Sequence, residues 1–260
     1  MPVALTVGER IVVVERLRAA GCVFAEDEAD LLLRAADDAR GLATMVAQRA
    51  AGLPLEQVVG WALFCGLRIT VVPGVFVPRY RTEFLVHQAL AVTSPGNVVI
   101  DLCCGTGAVA AALVSCVPDL AVSAVDVDPA AVHCARRNLP MAHVYQGDLF
   151  APLPPQLRGR VDVVTANAPY VPTGALAFLP ADAREHEPTV ALDGGVDGLD
   201  VHRRVAAAAR DWLAPGGHLF IETTADQAST MVGIFATHGL APSSVSSNEF
   251  DATVVIARRP

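Results

Sequence analysis

Residues 164–172 read Val-Thr-Ala-Asn-Ala-Pro-Tyr-Val-Pro: a β-branched run with the look of a buried strand ends on a carboxamide, a proline and an aromatic ring. An amide or exocyclic amine nitrogen delocalises its lone pair into a π-system and attacks electrophiles poorly. Two oxygen acceptors aimed at its N–H hydrogens draw it toward tetrahedral geometry and free that pair. The side-chain oxygen of Asn167 and the main-chain carbonyl of Ala168 are candidates for those acceptors. Pro169 would fix the turn, and Tyr170 would offer a flat face to a planar group. The structural alternative has Asn167 ending a strand and Pro169 merely turning the chain.

A second group stands upstream. Residues 101–107, Asp-Leu-Cys-Cys-Gly-Thr-Gly, separate a predicted strand from a predicted helix. Gly105 and Gly107 let backbone pass close to a ligand at a helix N-terminus, with Cys103, Cys104 and Thr106 completing the loop. Asp126 ends the next strand, nineteen residues past Gly107, where a carboxylate can accept both hydroxyls of a ribose. Gly105 to Ala110 also satisfies the GxGxxG/A pattern of a dinucleotide site. Asp101 would serve a pyrophosphate badly and an ammonium well. Asp148, followed by Leu149 after a third strand, is placed to take a proton donor such as an adenine amine. A ligand with an amino-acid end, a ribose and an adenine uses all three acids, and S-adenosylmethionine is that ligand. A nicotinamide cofactor is the weaker alternative, while Asp128 reads as the cap of a helix opening at Pro129.

The elements that must position these residues are legible as a texture. From Asn97 onward short apolar strands alternate with helices, which predicts an α/β fold with a parallel sheet covered on both faces. Strands are expected at Val98–Leu102, Ala121–Val127, His143–Gln146, Val161–Ala166 and His218–Glu222. Helices are expected at Ala108–Cys116, Pro129–Asn138, Leu199–Leu213 and Gln227–His238. Two closing strands, Ser243–Ser246 and Ala252–Ala257, lie so close in sequence that they must pair antiparallel. Ligands in such sheets sit beyond the carboxyl ends of the strands.

Ahead of this region, residues 6–52 read as a helical bundle. A capping box, Thr6-Val7-Gly8-Glu9, opens a run that stops at Gly21; a second helix spans Glu26–Arg40 and stops at Gly41; a third covers Leu42–Ala51. A hairpin of Trp61–Phe64 and Leu67–Val72, closed by Cys65-Gly66, then leads to a helix over Thr82–Val92. The expected division is a helical bundle over 1–60, a linker over 61–95 and the ligand-binding domain over 96–260. The stretch from Val171 to Asp197 is long for a connection and reads as a lid or acceptor-binding segment.

Composition narrows the partners. The chain has 260 residues and a net charge of −8, and every one of its 19 basic residues is arginine. Nucleic acid is disfavoured by that charge, and the lack of lysine excludes Schiff-base chemistry and a P-loop lysine. No apolar stretch approaches the roughly 18–20 residues of a membrane span. Ile11–Val14 is flanked by charges and is no signal-peptide core, so a cytoplasmic location is expected. Six cysteines form no CxxC pattern and have no histidine at ligand spacing, so reduced packing thiols and no metal site are expected. His133, His143, His186 and His202 read as solvated or structural.

In Asn167-Ala168-Pro169-Tyr170 the chain resembles class I methyltransferases of the release factor glutamine type, whose catalytic signature at the end of the fourth strand is NPPY. The resemblance covers nearly the whole chain. It extends to Pro54–Gly60, Val77–Glu83, the Asp101–Gly107 loop, Glu187–Leu192 and Gly198-Leu199. It implies a Rossmann-like class I methyltransferase sheet, mostly parallel with a C-terminal antiparallel strand, plus a small N-terminal helical domain. It further implies S-adenosylmethionine as cofactor, with Asn167 serving both cofactor and acceptor, and a protein glutamine, as in a peptide chain release factor, as methyl acceptor. The chain departs from the pattern at Ala168, which replaces a proline, and at Tyr80 and Arg81, where the family has a proline and an acid. It departs again after Glu222, which leads into Thr223-Thr224-Ala225 instead of an early glycine. Other acceptors in play are a small molecule, another protein or a nucleic-acid base amine; a module binding cofactor and partner without turnover is a non-enzymatic alternative. Arg79 and Glu187 read as acceptor orienters, loop braces or a surface ion pair, and the oligomeric state stays open.

Overall fold

The computed structural model describes residues 7–260. Three helices, α1 (Val7–Ala19), α2 (Ala25–Ala35) and α3 (Ala39–Ala50), share a core of Leu17, Ala29, Leu32 and Val46 with Val58 of the short helix α4 (Leu55–Val59). The second helix ends five residues before the expected Arg40. Ala36 is already extended, and the Asp38 carboxylate caps a new helix by accepting the Gly41 N–H at 2.6 Å. Aspartate favours that cap over a mid-helix place, so Gly41 falls inside the first turn of α3 instead of terminating α2. Arg49 and Glu28 tie α3 to α2 through a 2.6 Å ion pair. The capping box expected at Thr6 lies outside the described residues.

Strands β1 (Trp61–Phe64) and β2 (Leu67–Thr70) form the expected hairpin, with Phe64 opposite Leu67. Its two turn residues, Cys65 and Gly66, both have positive φ, as a two-residue hairpin turn requires. Helix α5 (Glu83–Leu90) follows a single 3₁₀ turn at Tyr80–Thr82, and its Glu83 carboxylate accepts the Cys65 N–H at 2.8 Å.

The remaining elements run β3 (Val98–Leu102), α6 (Ala108–Cys116), β4 (Ala121–Asp126), α7 (Pro129–Asn138), β5 (His143–Gln146) and β6 (Val161–Ala166). They continue with α8 (Ala181–His186), α9 (Asp200–Trp212), β7 (Leu213–Thr223), α10 (Ala225–Thr237), β8 (Ala241–Ser247) and β9 (Ala252–Arg258). The sheet has seven strands in the order β5-β4-β3-β6-β7-β9-β8. The first five run parallel, and β9 lies antiparallel between β7 and β8. Strand β7 starts at Leu213, ahead of the expected His218, because Gly216 and Gly217 exchange backbone hydrogen bonds with Arg259.

Both faces of the sheet are covered. Trp212 of α9, stacked on Phe150 at 5.4 Å, and Met231 and Phe235 of α10 close one face. Leu85 of α5 and Leu113 of α6 close the other. Each such fully buried side chain contributes about 1.5–3 kcal/mol. The strand order reverses between β3 and β6, so a crevice opens beyond their carboxyl ends. The glycine loop leaves one of these strands and the Asn167 turn leaves the other.

Candidate active site

A cavity of about 670 Å³ occupies that crevice, bordered by the loops after β3, β4, β5 and β6. Asp101 forms its floor, 1% exposed and in register with Thr165 across the β3–β6 pair. Thr165 Oγ1 donates to Asp101 Oδ1 at 2.8 Å, and the Ala110 N–H in the first turn of α6 donates to Oδ2 at 3.3 Å. Burial pushes the Asp101 carboxyl up to about 7, with the Thr165 and Ala110 donors pulling against it.

Asp126 stands at the tip of β4. Its Oδ2 accepts the Gly105 N–H at 2.8 Å and its Oδ1 the Asp128 N–H at 2.9 Å; burial raises its pKa and these N–H groups offset part of that rise. Asp128 turns away to cap α7 through the Ala130 N–H at 2.8 Å. Two amides of the glycine loop and the α6 N-terminus are therefore bonded to the chain's own carboxylates. Two carboxylates beside the loop oppose a pyrophosphate there, which counts against the dinucleotide alternative.

Asp148, beyond β5, is ion-paired with Arg204 of α9 and faces the same cavity beside Leu149. The loop itself bends through positive φ at Cys103, Gly105 and Gly107. At Gly107 the left-handed φ of +77° favours glycine, and a Cβ there would also press on the Leu139 side chain at 2.8 Å. Burial and the surrounding carboxylates of Asp126, Asp101 and Asp148 drive the Cys103 thiol well above its ordinary pKa, which keeps it from acting as a nucleophile. All six cysteines are free thiols; Cys22, Cys104 and Cys134 are buried, whereas Cys116 is exposed, so packing does not account for it.

The other end of the cavity is assembled from distant pieces. Asn167 follows β6, and its Nδ2 donates to Thr82 Oγ1 at 3.1 Å. Its Oδ1 receives no hydrogen bond among the described residues, and the side chain borders the cavity. Ala168 is 1% exposed, and the Tyr170 hydroxyl donates to Glu222 Oε1 at 3.3 Å. Burial first, and the Glu222 carboxylate second, push the Tyr170 hydroxyl up to about 12.

The turn is clamped from behind. Val171 N–H donates to Leu192 O at 3.0 Å, Gly194 N–H to Val171 O at 2.8 Å and Gln227 Nε2 to Tyr170 O at 3.0 Å. A Cβ on Gly194 would stand 2.7 Å from the Pro169 carbonyl, and one on Gly198 would overlap the Tyr170 carbonyl. The Val171–Asp197 stretch contains α8 and two 3₁₀ turns and packs against the Asn167 turn as a brace.

Arg79 and Glu187 form a 2.6 Å ion pair, with Glu187 Oε1 also accepting the Val77 N–H at 3.0 Å. The surface reading of this pair is corrected: the Glu187 side chain is fully buried, and the pair joins the linker to the bracing segment. Burial raises the Glu187 pKa, while the Arg79 guanidinium holds it down. Among the histidines, His202 is structural as expected. It is fully buried, its Nε2 lies 3.2 Å from Glu222 O, and burial pushes its pKa down to about 4. A carbonyl only accepts, so Nε2 carries the proton.

The sequence reading did not single out Thr82, Gln227, Gly198 or the inward side chain of Glu222 as parts of this end. Thr82 and Glu222 lie inside stretches noted for their family pattern, but nothing local to them signals a contact with Asn167 or Tyr170.

Residues 67–179 match the family model described as methyltransferase small domain. The release factor glutamine methyltransferase of Geobacter sulfurreducens is 40% identical over 199 residues, covering 75% of this chain and 69% of that protein. The chain belongs to the release factor glutamine methyltransferase family. A second relative, the 4-amino-L-phenylalanine/4-methylamino-L-phenylalanine methyltransferase of Streptomyces pristinaespiralis, is 37% identical over 75% of this chain and 69% of that protein. Among solved structures, a methyltransferase from Pyrococcus furiosus superposes with a TM-score of 0.59 at 18% identity, over 82% of this chain and 98% of that one. The fold is thus the class I methyltransferase sheet, and S-adenosylmethionine is the cofactor of the family. No helix among the described residues is long and apolar enough to cross a membrane.

Proposed function

We propose that this chain methylates the side-chain amide nitrogen of a glutamine in a protein, a peptide chain release factor being the first candidate. The observation that carries the reading is the carboxamide of Asn167, whose Nδ2 edge is tied back to Thr82 while its Oδ1 edge stays unbonded at the cavity. With the Ala168 carbonyl, that oxygen can accept both N–H hydrogens of an incoming amide and turn its lone pair outward. When the nitrogen takes the methyl carbon it loses one of its two protons, which the Asn167 or Ala168 oxygen holds by a hydrogen bond until water takes it. Tyr170, held at its hydroxyl by Glu222, gives the planar amide a fixed ring to lie against.

The donor chemistry of the cavity fits S-adenosylmethionine, which when bound supplies a methyl group on a positively charged sulfur. Asp126 keeps lone pairs on both oxygens for ribose hydroxyls, since each now receives one backbone N–H. Asp101 lies where it would neutralise the ammonium, Asp148 and Leu149 where they would meet the adenine, and the Cys103–Gly107 backbone follows between. Leu179, Val190 and Leu192 line the acceptor side and would exclude water.

The Streptomyces relative supports a second reading, methylation of an aromatic amine on an amino acid, with Arg79 and Arg81 bordering the cavity as partners for its carboxylate. Labelled S-adenosylmethionine offered with a release factor, a total protein extract, 4-aminophenylalanine, tRNA and DNA separates the cases. The expected result is label on a glutamine of the release factor. Label confined to 4-aminophenylalanine selects the second reading, and label confined to tRNA or DNA overturns both.

A further inference from the structure

We infer that Thr82 and Glu222 are positioning residues for Asn167, forming a one-way hydrogen-bond relay that fixes which edge of its carboxamide faces the cavity. Only the activity arm of the test below rests on the methyl-transfer reading. An asparagine side chain carries an acceptor on one edge and two donors on the other, and a half-turn exchanges edges of nearly equal size. With the oxygen outward, Asn167 can accept from the nucleophile; with the NH₂ outward, it opposes the nucleophile's own hydrogens.

The direction is set behind the residue. Because Asn167 Nδ2 donates to Thr82 Oγ1 at 3.1 Å, the Thr82 proton must point elsewhere. Thr82 is 3% exposed, so no bulk water takes that proton. Behind it stands Glu222, 2% exposed, with Tyr170 donating to Oε1 at 3.3 Å. Burial raises the Glu222 pKa, with the neighbouring Thr82 hydroxyl and Arg81 guanidinium pulling against that rise, and its Oε2 makes no hydrogen bond among the described residues. Tyr170 thus occupies one carboxyl oxygen, and the other, buried and unpartnered, is left as the acceptor for the Thr82 proton. The main-chain carbonyl of Glu222 is itself held by His202, so the acceptor cannot drift. Were Glu222 unable to accept, Thr82 could donate to Asn167 Oδ1 instead and the amide would be free to turn over.

The test uses Thr82→Val, which keeps the shape and deletes the hydroxyl, Thr82→Ser, which keeps the hydroxyl, and Glu222→Gln. Solvent exchange of the Asn167 side-chain amide protons, assigned by NMR through their loss in Asn167→Asp, reads the relay without any turnover. Exchange is expected to quicken by about tenfold or more in Thr82→Val and Glu222→Gln, and to stay near the wild-type rate in Thr82→Ser. On the acceptor that the wild type methylates, the first two variants should lose about 30-fold in kcat, with KM and calorimetric cofactor affinity within about twofold. Thr82→Ser should recover to within about threefold of the wild type. Unchanged exchange in Thr82→Val overturns the relay, as does a serine variant no better than the valine one or a loss carried by cofactor affinity. If exchange behaves as expected while the wild type labels no glutamine, the relay stands and the acceptor reading falls.

Discussion

At the cofactor end, Asp101, Gly105 and Asp126 belong to one strand–helix–strand unit, and apart from the Thr165 hydroxyl on Asp101 their hydrogen bonds involve backbone amides of that same unit. At the acceptor end, Thr82, Asn167, Glu187 and Glu222 come from four separate stretches and meet only in the folded chain. The first end is fixed by local geometry and changes one ligand contact at a time. The second is a keystone arrangement, in which the linker, the turn after β6, the bracing segment and β7 must all be in place before one carboxamide is aimed. Binding and chemistry should therefore be separable by mutation.

The largest separation is expected for Asn167→Ala. It should cost on the order of 10²–10³-fold in kcat, while calorimetry finds cofactor affinity within about twofold of the wild type. A parallel loss of affinity would break the division between the two ends. Asp126→Ala should do the reverse, weakening S-adenosylmethionine binding by about 1–3 kcal/mol with little change in kcat at saturation. An unaltered dissociation constant would remove Asp126 from the ribose site.

The smallest effect concerns pH and sharpens the cofactor end. In the free protein burial holds the Asp101 carboxyl at about 7, and a bound ammonium would pull it down, so binding releases a proton. Affinity should therefore weaken as the pH falls from about 8 to 6, by less than about tenfold, and Asp101→Asn should flatten the dependence. The same carboxyl acts on stability with the opposite sign. Its pKa in the folded chain lies above the unfolded value, so its contribution is fully present below about pH 4 and is lost as the pH rises through about 7. A pH-independent affinity in the wild type would place the ammonium elsewhere.

What could be read in the sequence follows the same division. The strands of the sheet, the antiparallel closing pair and the glycine loop were legible because hydrophobic period and turn residues act over a few neighbours. Asn167 was legible because its turn chemistry is compact. Thr82 was not, since a threonine between an arginine and a glutamate signals nothing about an amide 85 positions away. For Arg79 and Glu187 the sequence left acceptor orienters, loop braces and a surface ion pair all open, because burial of the glutamate depends on how the bracing segment packs. The end of α2 was misplaced for a local reason: the apolar spacing of Ala29, Leu32 and Leu33 runs on to Ala36, beyond the last helical residue, and the Asp38 cap restarts the chain just after it.

The position of β9 has a consequence for how such a molecule comes into being. The last strand of the sheet to be synthesised is an interior one, and it pairs Val254 against Glu222 on the strand that supports the Asn167 turn. Until residues 252–258 have left the ribosome, β7 presents a bare edge and the support beneath the carboxamide is unfinished. Support for the carboxamide thus waits on β9, and loss of that single strand would disturb the aim of Asn167 before it disturbed the crevice.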